Sequence, residues 1–351
     1  MSTKAAAVTE KQQQDFAPSE ENFEWVHAIA SGHWASQAMR AAVQLSLPEH
    51  LAESRLTAAE VAEREGSDPD ATFRLMRACV ALRLLIADNL GRFYGTPMLA
   101  ALRGDIPGSL RGYVLDVTMP SQCLAFTTLT ETVLQGRCPT EAAPGSAFSA
   151  HPRGRPGERE FPEGSGSFTN TLFGDIAMLV ETARVDVAVG VGGASGSLLY
   201  LLMEKDPTMR GIVLERPDLL APAVAERDSR GLGNRVDVVG GNFVEVLPPA
   251  DLYLLTFALR GWDDETCVRI LRRCSEAMYP GGRVAVVELI VGEITDPGPA
   301  ALLDLNRLAT APGRERSLAE YDALFRTAGL RRTSLVSASQ PLYSVIEATA
   351  S

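Results

Sequence analysis

The sequence predicts an α/β protein: a parallel-type sheet in the C-terminal half, preceded by an α-helical part that carries a two-stranded wing. Three observations predict it. From residue 185 short apolar runs alternate with helical patterns, the texture of strand–helix units. Residues 57–94 read as helix, helix and hairpin, a winged-helix pattern. The first strand of the C-terminal half ends in a glycine-rich turn.

Taken in order, residues 1–20 form a polar, flexible tail without an apolar signal core. Residues 22–48 read as a helix, with Phe23, Val26, Ile29, Ala30, Trp34, Ala38, Ala41 and Ala42 at helical spacing. Few strong charges lie on any face, so this helix is expected to be buried, with a partner chain as one candidate cover. Thr57-Ala58-Ala59-Glu60 is a capping box that opens a helix ending at Gly66. Ser67-Asp68-Pro69 starts the next helix, expected to carry Phe73, Met76, Cys79, Val80 and Leu84 inward. Asp88-Asn89-Leu90-Gly91 between Leu84–Ala87 and Arg92–Tyr94 is a hairpin signal. A winged helix can read DNA, and Arg74, Arg77 and Arg83 lie on the presumptive recognition helix. The apolar residues around them and the acidic chain favour a structural or dimer-forming role.

Residues 106–135 again look helical, whereas 136–168 are rich in glycine, proline and charge and read as a loop. Strands follow at Val185–Val191, Gly211–Glu215, Arg235–Val239, Asp251–Phe257 and Arg283–Val291. Helices fall near Ser195–Lys205, Asp218–Arg230, Asp263–Met278 and Ser317–Ala328, the last opened by Ser317-Leu318-Ala319-Glu320. Strands near Arg332–Val336 and Leu342–Ala348 close the chain. The expected domains are a winged-helix dimerisation domain at 21–105, middle helices and loop at 106–168, and a nucleotide-binding α/β domain at 169–351.

The 351 residues are 46% hydrophobic and carry a net charge of −11. That charge argues against a nucleic-acid binder held by phosphate neutralisation. No apolar run reaches membrane-spanning length. Five cysteines without paired spacing (Cys79, Cys123, Cys138, Cys267, Cys274) fit buried thiols in a cytoplasmic protein. Cysteines and histidines are too scattered for a metal site.

The turn Gly190-Val191-Gly192-Gly193-Ala194-Ser195-Gly196 links a strand to a helix, the context in which glycines let a nucleotide approach the backbone. This makes the domain Rossmann-like. The GxGxxG spacing of dinucleotide sites fails at Ser195. Glu215 ends the second strand, where an acid can accept hydrogen bonds from ribose hydroxyls. Gly240-Gly241-Asn242-Phe243 ends the third and can present Asn242 to an adenine edge, or be a plain turn.

With these turns placed, the chain resembles the S-adenosylmethionine-dependent O-methyltransferases of plant phenylpropanoid and bacterial polyketide pathways. Val189 to Gly196 is similar to that family's D-V-G-G-G-x-G loop. Leu259-Arg260-Gly261-Trp262-Asp263-Asp264-Glu265 resembles its L-H-D-W-D-D-E segment, and Gly313-Arg314-Glu315-Arg316-Ser317 its G-K-E-R-T segment. The resemblance implies a class I methyltransferase fold behind a helical dimerisation domain, and a homodimer. The cofactor would be S-adenosylmethionine or its product S-adenosylhomocysteine, held by Gly190, Gly192, Gly193, Gly196, Glu215, Asn242 and Phe243. The substrate would be a small natural product. In the family a histidine deprotonates the substrate hydroxyl and two acids hold it; the acids map to Glu288 and Glu315. Candidate pocket residues are His33, Phe173, Met178 and Asn306, with Asp304 and Arg307 beside the last.

Four polar positions depart from the pattern. The histidine is Arg260, which stays protonated and cannot serve as a base. The aspartate after it is Gly261, the loop aspartate is Gly190, and the third-turn acid is Asn242. Three readings follow. The first is O-methyl transfer without a histidine base. The second is a non-methylating reaction (cyclisation, hydroxylation or decarboxylation) with Arg260 as electrostatic catalyst. The third is a non-catalytic binding or regulatory protein.

Overall fold

The computed structural model describes residues 18–137, 173–192, 196–217, 220–337 and 343–351. The chain divides into two compact units, Met1–Thr118 and Met119–Ser351. Cys138, Gly193 and most of the loop expected at 136–168 lie outside the described residues.

The first unit opens on α1 (Glu20–Gln44), whose start is fixed by a reciprocal cap: the Ser19 hydroxyl accepts the Asn22 N–H and the Asn22 side chain accepts the Ser19 N–H. Within the single chain this helix is buried only toward its end. Phe23, Trp25, Val26, Ile29 and Trp34 are 62–73% exposed, and only Ala42 and Val43 near its end are buried. Among the described residues nothing covers the first half. After α2 (Leu47–His50), α3 (Ala58–Glu65) begins at the Thr57–Glu60 capping box and ends at Gly66 in the left-handed region. In α4 (Pro69–Ala81) the Asp68 side chain caps the first turn. The buried stripe of α4 is Thr72, Met76 and Cys79, so Phe73 falls one position off it and is 41% exposed, contrary to expectation. β1 (Leu85–Ala87) and β2 (Phe93–Gly95) pair antiparallel, and the Asp88 carboxylate closes their turn by accepting the Leu90 and Arg92 N–H groups. α5 (Pro97–Ala100) and α6 (Arg111–Val117) complete a core that includes Leu47, Leu51, Met76, Phe93 and Leu99.

The helical stretch expected over 106–135 is three short helices: α6, then α7 (Pro120–Thr127) and α8 (Leu129–Gln135) in the second unit. Pro120, which has no N–H to donate, starts a new helix instead of continuing the old one. Residues 173–179 form α9. The sheet elements then alternate with helices: β3 (Val187–Val191), α10 (Ser197–Lys205), β4 (Arg210–Glu215), α11 (Leu220–Ser229), β5 (Val236–Gly240), β6 (Ala250–Thr256), α12 (Asp264–Ala277) and β7 (Met278–Val291). α13 (Ala300–Thr310), β8 (Arg316–Ser317), α14 (Leu318–Thr327), β9 (Leu330–Ser337) and β10 (Tyr343–Ala350) follow.

The strand order is β5-β4-β3-β6-β7-β10-β9, with β8 beside the end of β7. β3 to β7 are parallel, while β10 runs antiparallel to β7 and β9. Successive side chains point to opposite faces and both faces are apolar. Ala188, Leu252, Leu254, Ala285 and Val287 pack with α9 and α10; Val189, Val191, Tyr253, Leu255 and Val286 pack with α12 and α14. The order reverses at β3, with β4 on one side and β6 on the other, which places the ligand crevice at the carboxyl ends of these strands.

Cys79, Cys267 and Cys274 are buried as expected, but Cys123 is exposed.

Candidate active site

β3 passes through Gly190 and Val191 into Gly192, which has φ +65° and donates its N–H to the Leu214 carbonyl at 3.0 Å. Ala258 and the Phe243 ring bound the space beside Gly192, each within 4 Å of where a Cβ would lie. Gly196 caps α10 with φ +81°, and a Cβ there would stand 2.6 Å from Val213 Cγ2. Only glycine lets this helix start so close to β4. Glu215 ends β4 almost wholly buried, and its Oε1 accepts the Arg216 N–H at 3.2 Å. Both ends of the exposed Asn242 amide are engaged within its own turn: Oδ1 accepts from Val244 N–H and Nδ2 donates to Glu245. Beside that turn opens a cleft of about 650 Å³ lined by Ile212, Leu214, Gly241 and Asn242 among others. Phe243 is buried, edge-on to Trp262 at 6.1 Å, and so joins the glycine turn to the next segment. Bare backbone at the turn, a buried acid after the second strand and an aromatic wall fit S-adenosylmethionine. The departures remove charge at 190 and 242 without filling the crevice; a Cβ at Gly190 would find its nearest neighbour at 3.7 Å.

The second segment leaves β6 through Phe257, whose φ of +52° is costly for a bulky residue. The Val287 carbonyl accepts its N–H, and its ring packs against Phe173 at 5.9 Å and Tyr343 at 5.3 Å. A 3₁₀ turn, Leu259–Gly261, follows, and then Asp263, which caps α12. The Leu259 and Arg260 N–H groups donate to Glu288 Oε1 at 2.9 and 3.2 Å. Arg260 is buried, and its guanidinium lies 4.7 Å from the centre of the Phe257 ring. Its Nη1 donates to Glu315 Oε1 at 3.3 Å, and its Nε lies 4.0 Å from Glu288 Oε2. From α13, Arg307 Nε reaches the same Glu315 oxygen at 3.7 Å. A Cβ at Gly313 (φ +89°) would collide with the Arg260 carbonyl, so the segment leading to Glu315 crosses the turn where only glycine fits. Arg316 is fully enclosed. It donates to the Leu259 and Trp262 carbonyls and to Asp264, bracketing Arg260 on both sides.

Burial pushes the Glu288 carboxyl up to about 7; Arg260 opposes this and Glu315 reinforces it. Burial, then the neighbouring Arg260, lowers Arg307. The Tyr321 phenol is raised well above its ordinary value by burial, with Glu288 and Glu315 adding to it. Glu288 Oε2, Glu315 Oε2 and the Tyr321 hydroxyl are buried and make no hydrogen bond among the described residues.

The structure thus brings Arg260, Glu288 and Glu315 together, and gathers Gly192, Gly196, Glu215 and Phe243 about the crevice. Of the candidate pocket residues, Phe173 is buried against Phe257. Met178 is 71% exposed, and Asn306 is half-buried on α13. His33 is exposed on α1, edge-on to Trp34. Sequence reasoning missed Phe257, Arg316 and Tyr321. Each sits in a run whose apolar period or segment likeness already explained it, and nothing local marks its partner. Among the described residues no group of His, Cys, Asp and Glu side chains could hold a metal ion, and no helix is long and apolar enough to cross a membrane.

A parallel sheet with one antiparallel strand inserted near its edge, a glycine turn at the switch point and an acid closing the second strand define a class I methyltransferase. The chain belongs to the O-methyltransferase family: residues 126–331 match the O-methyltransferase domain, and 28–102 match the O-methyltransferase dimerisation domain. It is 33% identical to the mitomycin biosynthesis 6-O-methyltransferase of Streptomyces lavendulae, over 88% of this chain and 89% of that one. Its fold matches the structure of the mitomycin 7-O-methyltransferase MmcR with a TM-score of 0.80 and 30% identity, covering 99% and 100% of the two chains. It also matches an O-methyltransferase from neocarzinostatin biosynthesis, in complex with S-adenosylmethionine and 2-hydroxy-5-methyl naphthoic acid. There the TM-score is 0.71 and the identity 31%, over 90% and 96% of the chains.

Proposed function

We propose that this protein transfers the methyl group of S-adenosylmethionine to an oxygen of a small natural-product scaffold without a histidine base, as a homodimer joined through its N-terminal helices. The observation that carries the reading is the frame around residue 260. The two acids still converge on it, yet the side chain between them is a guanidinium that keeps its proton. When bound, the cofactor supplies an electrophilic methyl group on a sulfonium. Gly192, Gly196, Glu215 and Phe243 would hold it; the 259–262 turn and Phe257 would orient the acceptor. Orientation can contribute about 7–11 kcal/mol, whereas a general base is worth about 10²–10⁴-fold, so loss of the histidine is survivable. Relatives named for mitomycin and naphthoate substrates support a fused-ring acceptor. The uncovered apolar residues of α1 and the dimerisation-domain match support the homodimer.

The non-methylating reading needs an unbalanced positive charge facing the substrate. Here Arg260 and Arg307 face Glu288 and Glu315, which offsets that charge. The DNA reading is disfavoured by the winged-helix cations, several of which are engaged internally: Arg55 on Tyr94, Arg77 on Phe73 and Arg92 with Glu60. The test is incubation with ¹³C-methyl-labelled cofactor and a panel of hydroxynaphthoates and hydroxyquinones. A product carrying the label supports the proposal. Consumption of a panel member to an unlabelled product would overturn it.

A further inference from the structure

We propose that Glu288 takes the proton of the substrate hydroxyl, the task that Arg260 cannot perform. The inference rests on the methyl-transfer reading above. The groups that converge on the 259–262 turn narrow the choice. Arg260, Arg307 and Arg316 keep their protons. The Cys267 thiol donates to the Leu259 carbonyl, and burial pushes it up to about 12. Burial raises the Tyr321 phenol well above its ordinary value. Two carboxylates are left, and they differ. Glu315 Oε1 faces two guanidiniums at 3.3 and 3.7 Å, so its carboxylate is already paired with cations. Glu288 is gripped on one oxygen only, by two backbone amides that fix its position. Its Oε2 has no hydrogen bond among the described residues, and its nearest cation is at the outer limit of an ion pair. A buried acceptor left unmatched calls for an explanation, and a transferred proton is one; Glu315 Oε2 is unmatched too, but that carboxylate already meets two guanidiniums through its other oxygen.

The groups facing Glu288 are Arg260 from the turn, Arg307 from α13, Glu315 from the segment before β8, Tyr321 from α14, and Ser344 opposite it on β10. The guanidiniums lower its proton affinity; burial and Glu315 raise it and prevail, leaving a base poised near neutrality. Glu288 has no exposed surface and Arg260 has little, so the arginine is what an acceptor meets first. The proton crosses by a short displacement of the guanidinium or through one water. In the step the substrate O–H bond breaks and its proton goes to Glu288 Oε2. The oxygen electron pair forms the O–CH₃ bond, and the C–S bond breaks to leave a neutral thioether. Glu288 returns the proton to solvent after product release.

The test uses full-length Glu288→Gln, which keeps an Oε1 acceptor for both amides. Unchanged S-adenosylhomocysteine affinity checks that the fold survives. Rates are compared on naphthols of increasing hydroxyl acidity, from mildly acidic to mildly alkaline pH. The wild type should show kcat/KM rising through neutrality. The variant should lose that limb and about 10²–10⁴-fold on the least acidic naphthol, but much less on nitro-substituted naphthols that are already ionised. An equal loss on every acceptor means a structural role and overturns the assignment, as does a retained limb. Labelled transfer with an unchanged profile in the variant overturns this assignment alone. No transfer by the wild type to any acceptor overturns the methyl-transfer reading and this assignment with it.

Discussion

Arg316→Lys should loosen the 259–262 turn while leaving the crevice at the ends of β3 and β4 intact. The guanidinium is fully enclosed and reaches the Leu259 carbonyl at 3.1 Å, the Trp262 carbonyl at 2.8 Å and Asp264 Oδ1 at 2.8 and 3.0 Å. Its planar fork spans two carbonyls that flank Arg260. An ammonium is a point donor and cannot hold both. Each buried carbonyl left unmatched costs about 1–3 kcal/mol. With two carbonyls at stake, a stability loss of about 2–5 kcal/mol is expected. A displaced turn should slow kcat by about 10²-fold. Urea unfolding reads the first effect and steady-state kinetics the second, with S-adenosylhomocysteine affinity as the control. Asp264→Asn perturbs the same contact from its half-exposed end and should cost less, about 1 kcal/mol. Wild-type stability and kcat in Arg316→Lys would refute the bracketing role.

Gly196→Ala forces a Cβ against Val213 at φ +81° and should cost about 1–3 kcal/mol and weaken cofactor binding; calorimetry checks the binding. Gly190→Asp has room for its Cβ and should tighten S-adenosylmethionine binding, whereas equal affinity would show that position 190 does not serve the cofactor. The Glu288 carboxyl is raised from 4.5 in the unfolded chain to about 7. Its stabilising contribution is fully present below about 4.5 and is lost as pH rises through about 7. Glu288→Gln should therefore gain stability over the wild type at alkaline pH, by up to about 3 kcal/mol, and little at acidic pH. Parallel stability curves for the two proteins would count against the raised value.

The fold was legible wherever its signal is local. The capping boxes at Thr57 and Ser317, the hairpin turn at Asp88 and the β-α alternation after residue 185 depend on neighbours a few residues apart, and all appear as read. The reading failed where the answer lies in what covers a surface. The first half of α1 has an apolar period but no cover among the described residues, and Phe73 misses its stripe by one position. The site was half legible. Arg260, Glu288 and Glu315 stand out because segment likenesses mark them. Arg316 and Tyr321 matter through bonds or fields that span dozens of residues, and no local pattern encodes such pairings.

The most direct measurement of the central claim is ¹³C NMR of the product formed from ¹³C-methyl-labelled S-adenosylmethionine and an aromatic hydroxy acid. One such acceptor is 1,4-dihydroxy-2-naphthoate, the ligand of a related structure. The account predicts a labelled methoxyl carbon formed in step with S-adenosylhomocysteine. Label on carbon or nitrogen, or a transformed acceptor with the label still wholly in the cofactor, would contradict it.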